Sequence, residues 1–170
     1  DPLDPETQAN DGRALADYRE SLKPGGLRGA RIGVLRPSKS GFNPKTDAIL
    51  AKAVEALRSE GAEVVDPVEI ATQGKYGGPE YEVLLYEFKA DLEAYLAARP
   101  GAAIRKIEDL IAFNNAHADR ELPFFGQEIL EAAAKKGPLM DKAYREALAA
   151  CRAMTRAQGI DAALEKNRLD

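Results

Sequence analysis

Apolar residues along the chain follow two alternating periods. Near the N-terminus Ala14, Leu15, Tyr18 and Leu22 recur at helical steps behind the capping types Asn10 and Asp11, and Pro24-Gly25-Gly26 stops the run. The residues from Ala30 to Arg36 then read as a short strand rich in β-branched types. Pro37 to Gly41 is a loop. Asn43 before Pro44 is an N-cap followed by proline in the first helical turn. Ile49, Leu50, Ala53, Val54 and Leu57 make one apolar stripe, which Gly61 ends. Residues 62–70 read as a second strand interrupted by Pro67. Strand, helix and strand with short connections form a βαβ unit, so the two strands are expected to be parallel with a right-handed crossover.

Beyond residue 70 the period is helical. Thr72 to Pro79 is a Gly-rich connector. Leu84, Leu85, Phe88, Leu92, Tyr95 and Leu96 then line one face of a helix over residues 80–98, with Lys89 and Glu93 on the other side. Pro100-Gly101 ends it. Ile107, Leu110, Ile111 and Phe113 mark a helix over 104–116, and Leu122 to Gly126 is an apolar loop. A short helix over 127–136 stops at Gly137-Pro138. Asp141 is a good cap for a helix to about residue 158. Gly159 breaks it, and a last helical piece covers 160–167.

The expected fold class is therefore α/β and helix-rich, with one βαβ unit of two parallel strands and about six helices. The chain reads as one piece, with a helix plus the βαβ unit over 1–70 and a helical part over 71–170. A lone pair of strands does not make a stable sheet. The pair is expected to join a sheet supplied by other sequence, or to pair with another copy of the chain through its strand edges or helix faces. The start at Asp1 rather than Met fits a processed or excised piece.

Composition narrows the function. The 170 residues carry 24 Lys+Arg against 28 Asp+Glu, a net charge of −4, which speaks against a nucleic-acid surface. One cysteine and one histidine remove a disulfide framework and most His- or Cys-based metal sites. No apolar run approaches bilayer length, and no signal peptide is visible. The compartment stays open.

The residues offer few candidates for chemistry. Pro37-Ser38-Lys39-Ser40-Gly41 follows a strand and precedes a helix but lacks the glycine cradle of a phosphate loop, so a solvated loop is the better reading. The glycines of Gly74 to Gly78 suit a flexible connector. His117 lies near Asp119 and Glu121, yet no nucleophile is close in sequence. Cys151 sits among small apolar residues, where a buried thiol is the default. Glu128 and Glu131 suit the first turn of a helix better than a metal site. Arg19, Arg28, Arg31 and Arg36 form a modest basic bias that reads as a solvated surface. No catalytic residue, metal ligand or cofactor-binding residue is assigned.

Several passages together resemble the amidase signature family of amide hydrolases. Asp1-Pro2-Leu3-Asp4-Pro5 is similar to the turn that leaves that family's signature region. The stretches Leu27 to Leu35 and Gly61 to Val68 resemble the strands that follow. Leu84-Leu85-Tyr86-Glu87-Phe88-Lys89-Ala90-Asp91-Leu92, Tyr95-Leu96, Asp109 to Asn114, His117-Ala118 and Glu121 to Glu128 resemble its peptide-amidase-like branch. Gly159 to Leu164 and Arg168-Leu169-Asp170 are similar to the approach to a core strand that these residues do not include. The resemblance implies an incomplete α/β/α fold and a parent hydrolase of amide carbon–nitrogen bonds. Such an enzyme works through a serine nucleophile, a second serine in a cis peptide, and a lysine, with no cofactor. That Ser-Ser-Lys core is absent from these residues and is expected before Asp1. Ser38-Lys39-Ser40 is not a substitute for it, since it falls downstream of the signature region.

On this reading the chain, inactive alone, contributes scaffold and a wall of the pocket for a small amide or peptide amide. Phe124, Phe125, Gly126 and Gln127 form an apolar loop with a polar end that would suit such a wall; Asn114 and His117 would also face it, although a buried, satisfied polar pair or plain exposure is the preferred expectation for those two. The competing and preferred expectation is that Phe124 and Phe125 plug the helical core. For the whole chain the alternative is a free-standing helical binding or assembly module.

Overall fold

The computed structural model describes residues 7, 12–36 and 43–170. Contacts divide the chain into two compact units, Asp1–Val68 with Lys166–Asp170, and Glu69–Glu165.

The first unit is built on the expected strand pair. β1 (Arg31–Leu35) and β2 (Glu63–Val68) are parallel, with α1 (Pro44–Ser59) between them in the chain. Asn43 caps α1 as its position suggests, its side chain accepting from the Lys45 N–H at 2.9 Å. Val54 on α1 and Val34 on β1 are buried, whereas Ile49 of the same apolar stripe is 68% exposed. The register runs Arg31↔Glu63, Ile32↔Val64 and Gly33↔Val65, then slips to Leu35↔Val68. The slip falls at Pro67, which has no N–H to give to the ladder; the Asp66–Pro67 peptide is cis. The chain end meets β1 on its other side. The Asp170 N–H donates to Arg31 O at 3.1 Å, and Asp170 Oδ2 accepts from the Arg31 N–H at 2.8 Å. Gly33 permits this packing, because a Cβ there would lie 2.5 Å from Leu169 Cδ1 and 2.9 Å from Val68 Cγ2.

The arginines of this unit are more engaged than a solvated surface requires. Arg36 grips Asp66 through two parallel bonds, Nε to Oδ1 at 2.7 Å and Nη2 to Oδ2 at 2.6 Å. Arg31 pairs with Glu63 and donates from Nε to Asn167 O at 3.1 Å. Arg19 keeps to the surface, bonded to Asp17. The N-terminal helix is a correction. Among the described residues 12–22 the one helical piece is a 3-10 turn at Tyr18–Ser21, capped by Asp17. Leu15, Tyr18 and Leu22 are all more than half exposed, so their helical spacing has no core to bury against. Asn10, Asp11, the opening Asp1 to Pro5 and the 37–41 loop lie outside the described residues.

The second unit is helical. α2 (Gly77–Ala97) is its axis, and α3 (Ile107–Ala116), α5 (Glu128–Ala134) and α6 (Lys142–Thr155) each pack on it. A single turn, α4 (Ala118–Glu121), separates α3 from the apolar loop. The core is Leu85, Ile107 and Ala133, with Leu92, Ile111 and Leu130 against them. Ile107 is completely buried, and removing such a side chain from water is worth about 1.5–3 kcal/mol. α2 begins three residues before the expected start, so part of the glycine-rich connector is helical. α3 begins three residues later than expected. Asp109 fixes that start, its Oδ2 accepting from the Lys106 and Arg105 N–H groups at 3.2 and 3.0 Å.

The break expected at Gly159 is present as a wide turn, Arg156–Ile160, before α7 (Asp161–Asn167). Gly159 is buried, and a Cβ there would run into the Met154 carbonyl oxygen. The Thr72 hydroxyl donates to that same oxygen at 2.6 Å. Thr155 bonds back to Cys151 O at 2.8 Å, a contact that favours a bend. Cys151 itself is half-buried.

Two outcomes test this fold. Gly159→Ala should destabilise the protein by about 3 kcal/mol, because backbone rather than a movable side chain blocks the methyl group; a variant within half that of wild type in urea unfolding would contradict the packing. The Arg36 guanidinium holds the Asp66 carboxyl below its ordinary value. A carboxyl lowered in the folded state adds stability above its unfolded pKa, and that contribution is lost as pH falls through the folded one. The stability difference between wild type and Asp66→Asn should therefore be largest near neutrality and shrink below about pH 4; a difference independent of pH would remove the ion pair from the account.

Candidate functional site

The helical unit presents two polar constellations. The first surrounds α2. Tyr86 and Tyr144 stack at 5.6 Å between ring centroids. The Tyr86 hydroxyl donates to Asp141 Oδ2 at 3.3 Å, and the Tyr144 hydroxyl donates to Glu87 Oε1 at 2.7 Å. Burial and the Asp141 carboxylate push the Tyr86 phenol up, and the hydrogen bond to Glu87, with burial, does the same for Tyr144. Both stay protonated and serve as donors. Lys89 Nζ donates to Ala134 O at 3.0 Å and Lys136 O at 2.8 Å, closing the C-terminus of α5. Lys136 Nζ reaches Glu82 Oε1 at 2.7 Å and lies 5.4 Å over the Tyr86 ring. Each of these groups has a structural partner. The Tyr86-Glu87-Phe88-Lys89 passage thus ties α2 to its neighbours, and it holds no free nucleophile.

The second constellation lies around the apolar loop. Asn114, Phe125, Gly126 and Gln127 line one depression of about 430 Å³, together with Glu121, Leu122 and Ile129. Four of the five residues expected at a pocket wall are thereby brought together; Phe124 stands beside Phe125 but does not line the depression. The expectation that the two phenylalanines plug the core is wrong. Phe124 is 87% and Phe125 84% exposed. The core is already filled by Leu85, Ile107 and Ala133, and the loop carries the rings outward.

Beneath the loop, Gln127 is buried and fully engaged. Its Nε2 donates to Asn115 Oδ1 at 2.7 Å and more weakly to Ile111 O at 3.4 Å. Its Oε1 accepts from Asn114 Nδ2 at 3.1 Å. Sequence reasoning missed Asn115, although Ile111, Asn114 and Asn115 share a helix face by their three- and four-residue spacing. His117 is the C-cap of α3. Its Nδ1 lies 2.8 Å from Phe113 O, an acceptor only, which requires the proton on Nδ1. Its ring packs on Phe113 at 4.3 Å. That is a capping role. Glu128 and Glu131 occupy the first turn of α5. Among the described residues no group of three His, Cys, Asp or Glu side chains is placed to hold a metal ion, and no helix is long and apolar enough to cross a membrane.

What this arrangement offers is a shaped, aromatic-edged surface on a rigid support. The residues that line the depression include no serine, threonine, cysteine or lysine that could act as a nucleophile.

Comparison with known proteins gives this surface a context. No family model matches the chain. The native peptide amidase from Stenotrophomonas maltophilia is 44% identical, with a TM-score of 0.87 over 100% of this chain and 34% of that one. The peptide amidase PAM in complex with the competitive inhibitor chymostatin matches to the same extent. An amidase family protein from Bacillus anthracis str. Ames shares the fold at 23% identity and a TM-score of 0.77, over 100% of this chain and 32% of that one. A curated "Probable amidase" from Arabidopsis thaliana is 33% identical over 178 residues, covering 100% of this chain and 32% of that protein. By sequence and by fold, these residues are a stretch of an amidase-signature family chain, spanning about a third of the length of the relatives they match.

Proposed function

We propose that this stretch serves the hydrolysis of carbon–nitrogen bonds in small amides or peptide amides, as scaffold and as one wall of the substrate pocket. The wall is made by Phe124, Phe125, Gly126, Gln127 and Asn114. The Ser-Ser-Lys relay comes from polypeptide other than these residues. The observation that carries the reading is the 44% identity to a peptide amidase across the full length of this chain.

The physical case rests on a division of labour. Amide hydrolysis needs a nucleophile, a proton path and donors aimed at the developing oxyanion. It also needs a surface that holds the rest of the substrate so that the scissile carbonyl sits still. Two exposed aromatic rings beside a depression of about 430 Å³ suit the second task. Asn114 and Gln127 spend their polar atoms on one another and on α3, so contact with substrate falls to the rings.

Ammonia release from a peptide amide should be undetectable with the purified 170-residue chain; turnover that survives removal of contaminants would overturn the proposal. In a full-length amidase polypeptide carrying this stretch, Phe125→Ala should raise KM by about tenfold with little change in kcat, the pattern of lost uniform binding. An unchanged KM would take Phe125 out of the pocket wall.

We also infer that the chain by itself associates with further copies. Its sheet has two strands among the described residues, and apolar side chains such as Ile49 are left uncovered. Light scattering should find a dimer or larger species, and a monomer at high concentration would contradict this.

A further inference from the structure

Phe124 and Phe125 are large apolar side chains on a loop with little support of its own. The loop's hydrogen bonds come at its two ends. The Leu122 N–H donates to Ala118 O at 3.0 Å, and the Gln127 side chain grips α3 through Asn115, Ile111 O and Asn114. Pro123 has no N–H to offer. Gln127 is 8% exposed and the one buried polar residue among those described. A buried primary amide is retained at a cost unless its bonds are met, and here both ends of the amide are met from one helix face. Its donors and its acceptor cannot be interchanged: Nε2 faces acceptors (Asn115 Oδ1, Ile111 O) and Oε1 faces a donor (Asn114 Nδ2). The contact therefore fixes one orientation of the chain two residues after Phe125.

We propose that Gln127 is a positioning residue, whose amide clamp on α3 sets the exposed Phe124–Phe125 pair at one fixed place on the pocket wall. The role rests on the proposed function, and it reassigns Gln127 and Asn114 from direct contact with substrate to holding the residues that make it. The clamp orders the aromatic pair before substrate arrives, so less ordering entropy is lost on binding.

The test uses the full-length amidase polypeptide that carries this stretch. Gln127→Met keeps the volume and the burial but removes every hydrogen bond of the amide. Hydrogen exchange over 122–126, read at the Leu122 N–H that is bonded to Ala118 O, should quicken by about tenfold or more, with exchange in α2 unchanged. KM for a peptide amide should rise about fivefold or more while kcat stays within about twofold. Asn114→Ala, which removes one of the bonds, should show the same pattern more weakly. Gln127→Glu, which keeps the acceptor and loses the donors, should not restore the wild-type values. Unchanged exchange at 122–126 in Gln127→Met would overturn the inference. So would faster exchange with an unchanged KM, provided Phe125→Ala does shift KM. If Phe125→Ala leaves KM unchanged, the pocket-wall reading falls instead, and this use of the clamp falls with it. If Gln127→Met unfolds the protein, Asn114→Ala takes its place: faster exchange at 122–126 with a raised KM supports the clamp, and unchanged exchange or an unchanged KM overturns it.

Discussion

The second unit depends on one constraint: α2 has neighbours on several sides and must still place charged and phenolic side chains among them. It meets that constraint by giving each polar group a partner on a neighbouring element. Leu85 faces the core with Ile107 and Ala133, while Glu82, Tyr86, Glu87 and Lys89 reach Lys136, Asp141, Tyr144 and the end of α5. No buried side-chain nitrogen or oxygen among the described residues lacks a hydrogen-bond partner. Removing one partner from such a set costs more than the bond itself, since the other is left desolvated. The seat of α2 in turn fixes α3 and α5, and those two helices hold the apolar loop between them.

The loop shows why a rigid base matters for an exposed segment. Phe124 and Phe125 gain nothing from the core, so burial does not orient them. Orientation comes from below, through a single buried amide held by an asparagine pair. This arrangement separates two requirements that usually compete, stability within and apolar surface without.

Much of the fold was legible from residue order because local chemistry and tertiary packing agreed there. Asn43-Pro44 started a helix, Gly61 ended one, Gly159 broke one, and the β-branched runs paired in parallel as the short helical crossover demands. The failures have one physical cause. Spacing reports which residues share a face, but not whether anything covers that face. Leu15, Tyr18 and Leu22 have helical spacing and are exposed, and among the described residues 12–22 they form no more than a 3-10 turn. Ile49 belongs to the α1 stripe and remains exposed. Phe124 and Phe125 are the most apolar pair in their segment and lie outside, because three other residues already fill the centre. The candidate site was legible in part. Asn114, Phe125, Gly126 and Gln127 do converge, but residue order alone did not distinguish side chains that face a ligand from side chains that hold the loop. That distinction needed the hydrogen bonds of Gln127 and the role of Asn115.

The wall of an amide pocket is what these residues are proposed to supply, with bond cleavage left to other polypeptide. The most direct measurement is a crystal structure of the full-length amidase polypeptide with a peptide-amide inhibitor bound. Ligand atoms should lie within about 4 Å of the Phe124 or Phe125 ring, with the serines and lysine around the scissile carbonyl all contributed from outside this stretch. A ligand that touches neither ring, or a nucleophile drawn from these residues, would contradict it.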